Sequence, residues 1–377
     1  MEIKGIKERY LALDILRGLT IALMIVVNTP GSWETIYAPF KHSAWHGFTI
    51  TDLVFPTFLF VIGNAMSFSL KKYESKGEKA FLTKLFKRSL IIFFIGLLLN
   101  AFPFVQQDVS GEWQFVNFSN IRIMGVLQRI AICYLAAGLL IRYLNMKYLL
   151  GIGAFLLLLY WGLLYYFGDP GAAYTLEGNA ALKFDLLIFS SENLYMGYGI
   201  PFDPEGLLSN IPAIVNVIGG YVAGIFIQRS GGNISTVGKL ALIGLLLLGT
   251  SLVWDSSFPI NKPIWTSSYV LHTIAWDLLI LAFLILITDI LRFKKGVYFF
   301  EVFGRNPLFI YILSGVIIQI VSLISFGELS LKTIIYQDIF LAGLGPYTAS
   351  LLFALSYMFI LWLIGLWMDK RSVYIKV

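Results

Sequence analysis

The chain of 377 residues holds one cysteine, Cys133, and three histidines. An intrachain disulfide is therefore excluded, and so is a metal site built on cysteine ligands. Charge is scarce as well. Asp, Glu, Lys and Arg make up 13% of the residues, about half the share of an ordinary soluble domain. With 58% hydrophobic residues and a mean hydropathy of +0.78, the chain cannot cover itself with a soluble surface. In place of charge it has a series of apolar runs of about 20 residues divided by polar loops, the pattern of a polytopic helical membrane protein.

Hydropathy windows put spans near 11–29, 50–70, 88–105, 122–142, 147–167, 207–228, 237–254, 266–289, 305–325 and 347–368. The expected fold is all-α: a membrane helical bundle of about ten transmembrane helices, forming one domain over 1–377. No small-residue cleavage site follows the first span, so it is expected to be retained. Segment 331–345 is apolar but short, as a re-entrant or interfacial piece would be. No internal repeat is visible, which speaks against repeat-built transporter folds.

Lysine and arginine sort sharply between alternate loops. One side takes Lys4, Lys7 and Arg9, the cluster from Lys71 to Arg88, Arg142 and Lys147, Arg229 and Lys239, Arg292 to Lys295, and the C-terminal Lys370, Arg371 and Lys376. The other takes only Lys41, Lys183, Lys262 and Lys332. The positive-inside rule then makes both termini cytoplasmic and leaves residues 30–49 and 168–206 as the main extracytoplasmic loops. The net charge of +6 thus reflects membrane topology and contact with acidic lipids, and no nucleic-acid partner is expected. Within the second loop, FDPEG (Phe202 to Gly206) reads as a helix start, with Asp203 as N-cap and Pro204 as the first helical residue.

A few polar residues stand where burial costs most. PFKHSAWHGFTITDLVFPTFLF, Pro39 to Phe60, carries His42 and His46 and then Asp52 in the first turn of the second span. Asp52 reads first as a helix cap. His42, between Phe40 and Trp45, is either a satisfied structural histidine or a group that accepts a proton or attacks an acyl carbon. HSAWH lacks the internal glutamate of a zinc-binding HExxH and has no third ligand, so no metal is expected. Deeper in the bundle, Gln128 and Arg129 on the fourth span and Asp277 on the eighth are candidates for a lined cavity. Arg129 with Asp277 is the obvious ion pair. Asp14 and Arg17, three apart, pair along the first helix, and His272 reads as structural.

Several blocks resemble the catalytic domain of the heparan-alpha-glucosaminide N-acetyltransferase family, through its bacterial relatives. They are LDILRGLTIALMIVVN (Leu13 to Asn28), FKHSAWHGFTITDLVFPTFLFVIG (Phe40 to Gly63), IRIMGVLQRI, FDPEGLLSNIPAIV, NKPIWTSSYV (Asn261 to Val270) and GRNPLFIYI (Gly304 to Ile312). The resemblance implies transfer of an acetyl group from cytosolic acetyl-CoA to the amine of a glucosamine-type sugar or glycan on the extracytoplasmic face of a bacterial inner membrane. It puts the active histidine on His42 and a catalytic asparagine on Asn28, as an oxyanion donor or a partner of the imidazole. Along the path of the CoA arm it implies Gln128, Arg129, Asp277, Asp52 and Arg17; toward the acceptor it implies Trp45, Ser268 and Tyr269. Acetyl-CoA is a cosubstrate in this reading, and a homodimer is among the expected assemblies. Direct transfer with His42 as base, and an acetyl-histidine intermediate, both stay open. A proton-coupled amino-sugar transporter and an O-acyltransferase acting on a glycan or lipid are the rival functions.

Overall fold

A computed structural model describes residues 11–70, 77–107 and 112–375. Lys4, Lys7, Arg9, Lys71, Lys72, Lys76 and Lys376, all used in the topology argument, lie outside the described residues.

The chain is an all-α bundle, and every expected span corresponds to a helix. In order these are α1 (Leu11–Asn28), α2 (Ile50–Ser69), α3 (Glu78–Ala101), α4 (Val126–Tyr143), α5 (Met146–Phe167), the short α6 (Ala180–Ile188), α7 (Asn210–Ser230), α8 (Ile234–Asp255), α9 (Ser267–Ile285), α10 (Val297–Arg305), α11 (Pro307–Leu323) and α12 (Pro346–Lys370). Among the described residues, eight helices are long and apolar enough to cross a membrane, and α10 with α11, bent by 83°, is a broken span or a re-entrant loop. α3 has the length, but it carries Lys84, Lys87 and Arg88 in its first half. Two small hairpins, β1 (Val105–Gln107) with β2 (Trp113–Phe115) and a two-residue pair at Ser325–Phe326 and Leu329–Ser330, are the sheet among the described residues.

Two expectations need correcting. The third helix begins ten residues before 88 and ends at Ala101, because its basic first turns continue the helix beyond the apolar run. Segment 331–345 is a short piece, as expected, made of helical turns at Leu331–Ile334, Ile335–Phe340 and Leu341–Gly343. FDPEG does not start a helix: α7 begins at Asn210, after Ser209. Asp203 does accept from the Glu205 N–H at 2.9 Å, so the local capping chemistry is real but closes a turn.

Close approach of backbones sets the bundle's middle. A Cβ on Gly63 of α2 would fall 1.8 Å from the Val217 carbonyl oxygen of α7, and one on Gly220 of α7 would fall 1.8 Å from the Phe60 carbonyl oxygen of α2. Glycine at both crossing points lets the two helices touch main chain to main chain, as small residues do between membrane helices. α2 also contains Pro56, which offers no N–H to the Asp52 carbonyl one turn earlier. That carbonyl accepts instead from the Tyr269 hydroxyl of α9 at 2.6 Å. A freed main-chain group in a membrane helix must be re-satisfied from a neighbour, and here α9 is the neighbour.

Alternate loops meet at one end. The Gly47 N–H donates to the Ile260 carbonyl at 2.8 Å and Trp45 Nε1 to the Tyr174 carbonyl at 2.8 Å. Ile123 N donates to the Asn193 carbonyl at 3.1 Å, and Gly31 N to the Ser350 carbonyl at 3.3 Å. Segments 29–49, 112–125, 168–209 and 256–266 therefore form one cap. A cluster of buried apolar residues, Tyr160, Leu164, Phe202, Phe258 and Ile264 among them, supports it.

Gly220→Ala tests the crossing. With the Phe60 carbonyl in the way, the methyl forces the helices apart and costs about 1–3 kcal/mol. The thermal melt of the detergent-purified protein should fall, and an unchanged melt would show slack between α2 and α7.

Candidate active site

The cap encloses a pocket of about 270 Å³ lined by His42, Ser43, Asp52, Arg122, Tyr195, Gly197, Tyr198, Pro204, Glu205, Lys262, Pro263 and Trp265. Its chemistry starts from Asp52, 1% exposed at the third position of α2. One carboxylate oxygen, Oδ2, accepts from Ser43 N at 3.1 Å and Thr49 N at 3.1 Å. Thr49 and Asp52 form a capping box, so the cap expected from the sequence is present. Oδ1 is turned to His42, whose Nδ1 lies 2.7 Å away. At that distance from a carboxylate Nδ1 must carry the proton, which leaves the lone pair on Nε2. The imidazole is half exposed while its partner is buried. A buried carboxylate that fixes the tautomer of an accessible imidazole is the arrangement of a general base or nucleophile.

A second charged group stands across the pocket. Arg122 Nε and Nη2 donate to Asp203 Oδ2 and Oδ1 at 2.8 and 2.6 Å, and Nη2 donates to Glu205 Oε2 at 2.5 Å. Its guanidinium also lies 4.7 Å from the centre of the Tyr195 ring. Burial works against the charge, but the two carboxylates outweigh it and hold the guanidinium above its ordinary pKa. Lys262, between α8 and α9, is the other lysine or arginine of the pocket lining. Its Nζ lies 3.1 Å from His42 Nδ1 and 3.6 Å from Asp52 Oδ1. Burial pushes the ammonium below its ordinary pKa, and the Asp52 carboxylate offsets part of that.

Of the residues singled out in the sequence, His42 and Asp52 meet in this pocket. Arg129 lies just behind it: its guanidinium is 4.5 Å from the centre of the Trp265 ring, donates to Ser209 Oγ and is 3.4 Å from the Gly206 carbonyl. The expected pair of Arg129 with Asp277 does not form. Asp277 accepts from Thr57 Oγ1 at 2.6 Å, because α9 turns that face toward α2. Buried atoms without a hydrogen-bond partner remain on Arg129 (Nε and Nη1), Gln128 (Nε2) and Asp277 (Oδ2).

Elsewhere, Trp45 braces the loop against Tyr198 and Phe202, and its carbonyl accepts from Asn261 Nδ2 at 3.0 Å. Ser268 is wholly buried and donates to the Phe258 carbonyl. Tyr269 supports the Asp52 main chain. Asn28 is exposed at the end of α1 and does not line the pocket. Arg17 bonds Asp14 at 2.7 Å on α1. His272 lies between Ser251 Oγ at 3.0 Å and Trp276 Nε1 at 3.1 Å, a structural histidine with both nitrogens engaged.

Sequence reading missed Arg122, Glu205, Lys262, Tyr195 and Tyr198 as pocket residues. One signal pointed to part of this set. The 168–206 loop carries six acidic residues against Lys183 alone, and such an excess calls for a cation from elsewhere.

The site thus defines a class: a polytopic membrane protein whose loops close a histidine–carboxylate pair into a polar pocket at one end of the bundle. Comparison with known proteins narrows it. Residues 9–176 match the family described as "Heparan-alpha-glucosaminide N-acetyltransferase, catalytic", a stretch that contains His42, Asp52 and Arg122. Heparan-alpha-glucosaminide N-acetyltransferase of Mus musculus is 26% identical over 81% of this chain, and that of Homo sapiens is 24% identical over 82%. The chain is thus similar to that family over somewhat less than half of its length. It spans about half the length of these curated relatives, 53% of each.

Asp185 offers a test of the cap. It lies on α6, buried, and Oδ1 accepts from Leu207 N at 2.9 Å, which steadies the turn carrying Asp203 and Glu205. Burial raises its pKa from 3.8 to about 7. A raised carboxyl favours the folded state while protonated, so its burial cost is absent below the unfolded value and complete above the folded one. Asp185→Asn should raise the melting temperature at pH 8 and give a gain that shrinks steadily toward pH 4. A gain independent of pH would refute the buried-carboxyl account.

Proposed function

We propose that this chain is a transmembrane acetyltransferase that moves an acetyl group from acetyl-CoA to the amine of a glucosamine-type sugar held in the pocket. The observation that carries the reading is the Asp52–His42 pair: a buried carboxylate, an accessible imidazole with Nε2 free, and a polar pocket before it. This pair lies in the segment that matches a catalytic family description.

In water at neutral pH the amine of an amino sugar is largely protonated. Once it is neutral, its lone pair adds to the thioester carbonyl and His42 Nε2 takes a proton from nitrogen. The imidazolium that forms keeps its Nδ1–H on Asp52, so the charge is matched where it arises. As the carbonyl re-forms and the C–S bond breaks, the same proton passes to sulfur. Direct transfer is preferred over an acetyl-histidine, because the half-exposed ring would leave an acyl-imidazole open to water. Aromatic and proline surfaces from Tyr195, Tyr198, Trp265 and Pro204 suit the faces of a sugar ring, and Glu205 offers a carboxylate to its polar groups.

The donor would enter from the opposite, basic end, which the charge distribution makes cytoplasmic. Its arm would pass the buried Gln128, Arg129 and Asp277, whose unpartnered atoms are suited to a polar guest. Asn28 enters this reading through the resemblance alone. Transport of an amino sugar would call on Arg129 and Asp277 as a coupled pair, and they are not in contact through any hydrogen bond or salt bridge.

Purified protein given acetyl-CoA and glucosamine should release free thiol. His42→Ala should lower the rate by about 10²–10⁴-fold while the protein stays folded, with a somewhat lower melt from the lost Asp52 contact. Wild type that releases no CoA with any amino sugar, while proteoliposomes accumulate the sugar, would sink the acetyltransferase reading in favour of transport. Thiol release only with hydroxyl acceptors would make it an O-acyltransferase.

A further inference from the structure

Lys262 occupies an unusual place for a surface-loop lysine. The side chain is 17% exposed, and its turn is braced on both sides: Trp265 N donates to the Lys262 carbonyl at 3.0 Å, and Asn261 N to Thr266 Oγ1 at 3.0 Å. Proton accounting at Nζ then matters. His42 Nδ1 is 3.1 Å away but has spent its hydrogen on Asp52 and holds no lone pair for an ammonium. Asp52 Oδ1 is 3.6 Å away, beyond a normal hydrogen bond. Asp52 is the ion-pair partner of Nζ, and of the three ammonium N–H groups at least one is left for the pocket. The side chain is thus shielded from bulk water beside a carboxylate, with a donor to spare at the pocket wall. Arg122, the other cation of that wall, is already held by Asp203 and Glu205.

We propose that Lys262 is the electrophilic group of the site, binding the thioester carbonyl oxygen and the oxyanion that this oxygen becomes. This role rests on the acetyltransferase reading above. When the amine nitrogen adds, the C=O π pair moves to oxygen, and the new negative charge lies against Nζ. When the pair returns, the C–S bond breaks, the proton taken by His42 goes to sulfur, and Lys262 is left with its proton. Nothing is consumed at Lys262. A preorganised cation at a developing oxyanion in a partly dry site is among the larger single contributions to catalysis. Its closeness to His42 puts base and electrophile on the same reacting carbon. His42, Asp52, Arg122, Glu205, Arg129 and Tyr198 are the charged or titratable groups that surround it.

Lys262→Met removes the charge and keeps the length. It should lower kcat by about 10²–10³-fold with KM for either substrate changed only a few-fold. The alkaline fall of the wild-type rate, as the ammonium deprotonates, should move to higher pH in Lys262→Arg. In ¹⁵N-histidine spectra of Lys262→Met, the His42 ring should keep its proton on Nδ1, as in the wild type.

Lys262→Cys supplies a second arm, since Cys133 is wholly buried. Alkylation with 2-bromoethylamine rebuilds an ammonium at the same reach and should restore the rate; alkylation with iodoacetamide should not. Three outcomes overturn the role. They are full kcat in Lys262→Met, a shift of the His42 proton to Nε2 (Lys262 would then act through the ring), or equal rescue by both alkylating agents. If such a result comes with an active wild type, the acetyltransferase reading stands. A wild type that releases no CoA removes that reading and this role together.

Discussion

The site depends on how Asp52 is held. Its carbonyl has lost its helical donor to Pro56, and its carboxylate is buried at the first turn of α2. Both deficits are made good by other segments: the Tyr269 hydroxyl serves the carbonyl, and Ser43 N, Thr49 N and His42 serve the carboxylate. A buried carbonyl left without a donor costs about 1–3 kcal/mol, and a buried unpaired carboxylate costs more. The loop of 29–49 and helix α9 are therefore required by α2, and the imidazole is aimed as a consequence of satisfying the helix end. In the sequence Asp52 reads first as a cap, and the resemblance adds only a place on the path of the CoA arm. The two carboxylate oxygens point different ways, so one residue both caps its helix and orients His42.

Behind the pocket, the same economy of polar groups sets a rigid floor. Trp265 has φ of +50°, a region that costs a bulky residue free energy and persists only when the surroundings impose it. They do so from several sides. Trp265 Nε1 donates to Asn216 Oδ1 at 3.1 Å, and Asn216 Nδ2 donates to Thr273 Oγ1 at 3.0 Å. Phe55 and Tyr269 meet the indole edge-on at 5.2 Å, and Arg129 covers a face. The residue three places after Lys262 is thus locked to α2, α4, α7 and α9. This gives the short Asn261–Thr266 turn a defined position and with it the Lys262 ammonium.

Long apolar runs made the helices legible, because span length and loop charge act locally along the chain. The alternation of loops follows from that, and it brings 29–49, 168–209 and 256–266 to a common end. Pairing across that end was not legible. Arg129 and Asp277 matched by depth, yet contact between helices depends on which face each one turns, and each residue rotates that face by about 100°. Asp277 faces Thr57, and Arg129 faces Trp265 and Ser209. FDPEG was misread for a related reason. An aspartate that accepts from an N–H two residues on looks the same in a turn as at a helix start, and only Arg122, 81 positions earlier, decides what its carboxylate is for.

Two charge clusters share the pocket, and they differ in what they leave unspent. Arg122 is matched by two carboxylates, so it anchors the 203–209 turn and has little charge left to offer a guest. The Asp52–His42–Lys262 group is closed on one side only: Asp52 is saturated, while Nε2 of the ring and part of the donor capacity of Nζ are left unspent. A site built only for stability would close both sides, since unmade hydrogen bonds near the membrane are costly. Here the unspent lone pair and the unspent N–H donors lie on neighbouring groups of opposite chemical character, a base beside an electrophile. On the proposed reading, that asymmetry lets one small pocket draw a proton from an amine while holding the negative charge that the same step creates.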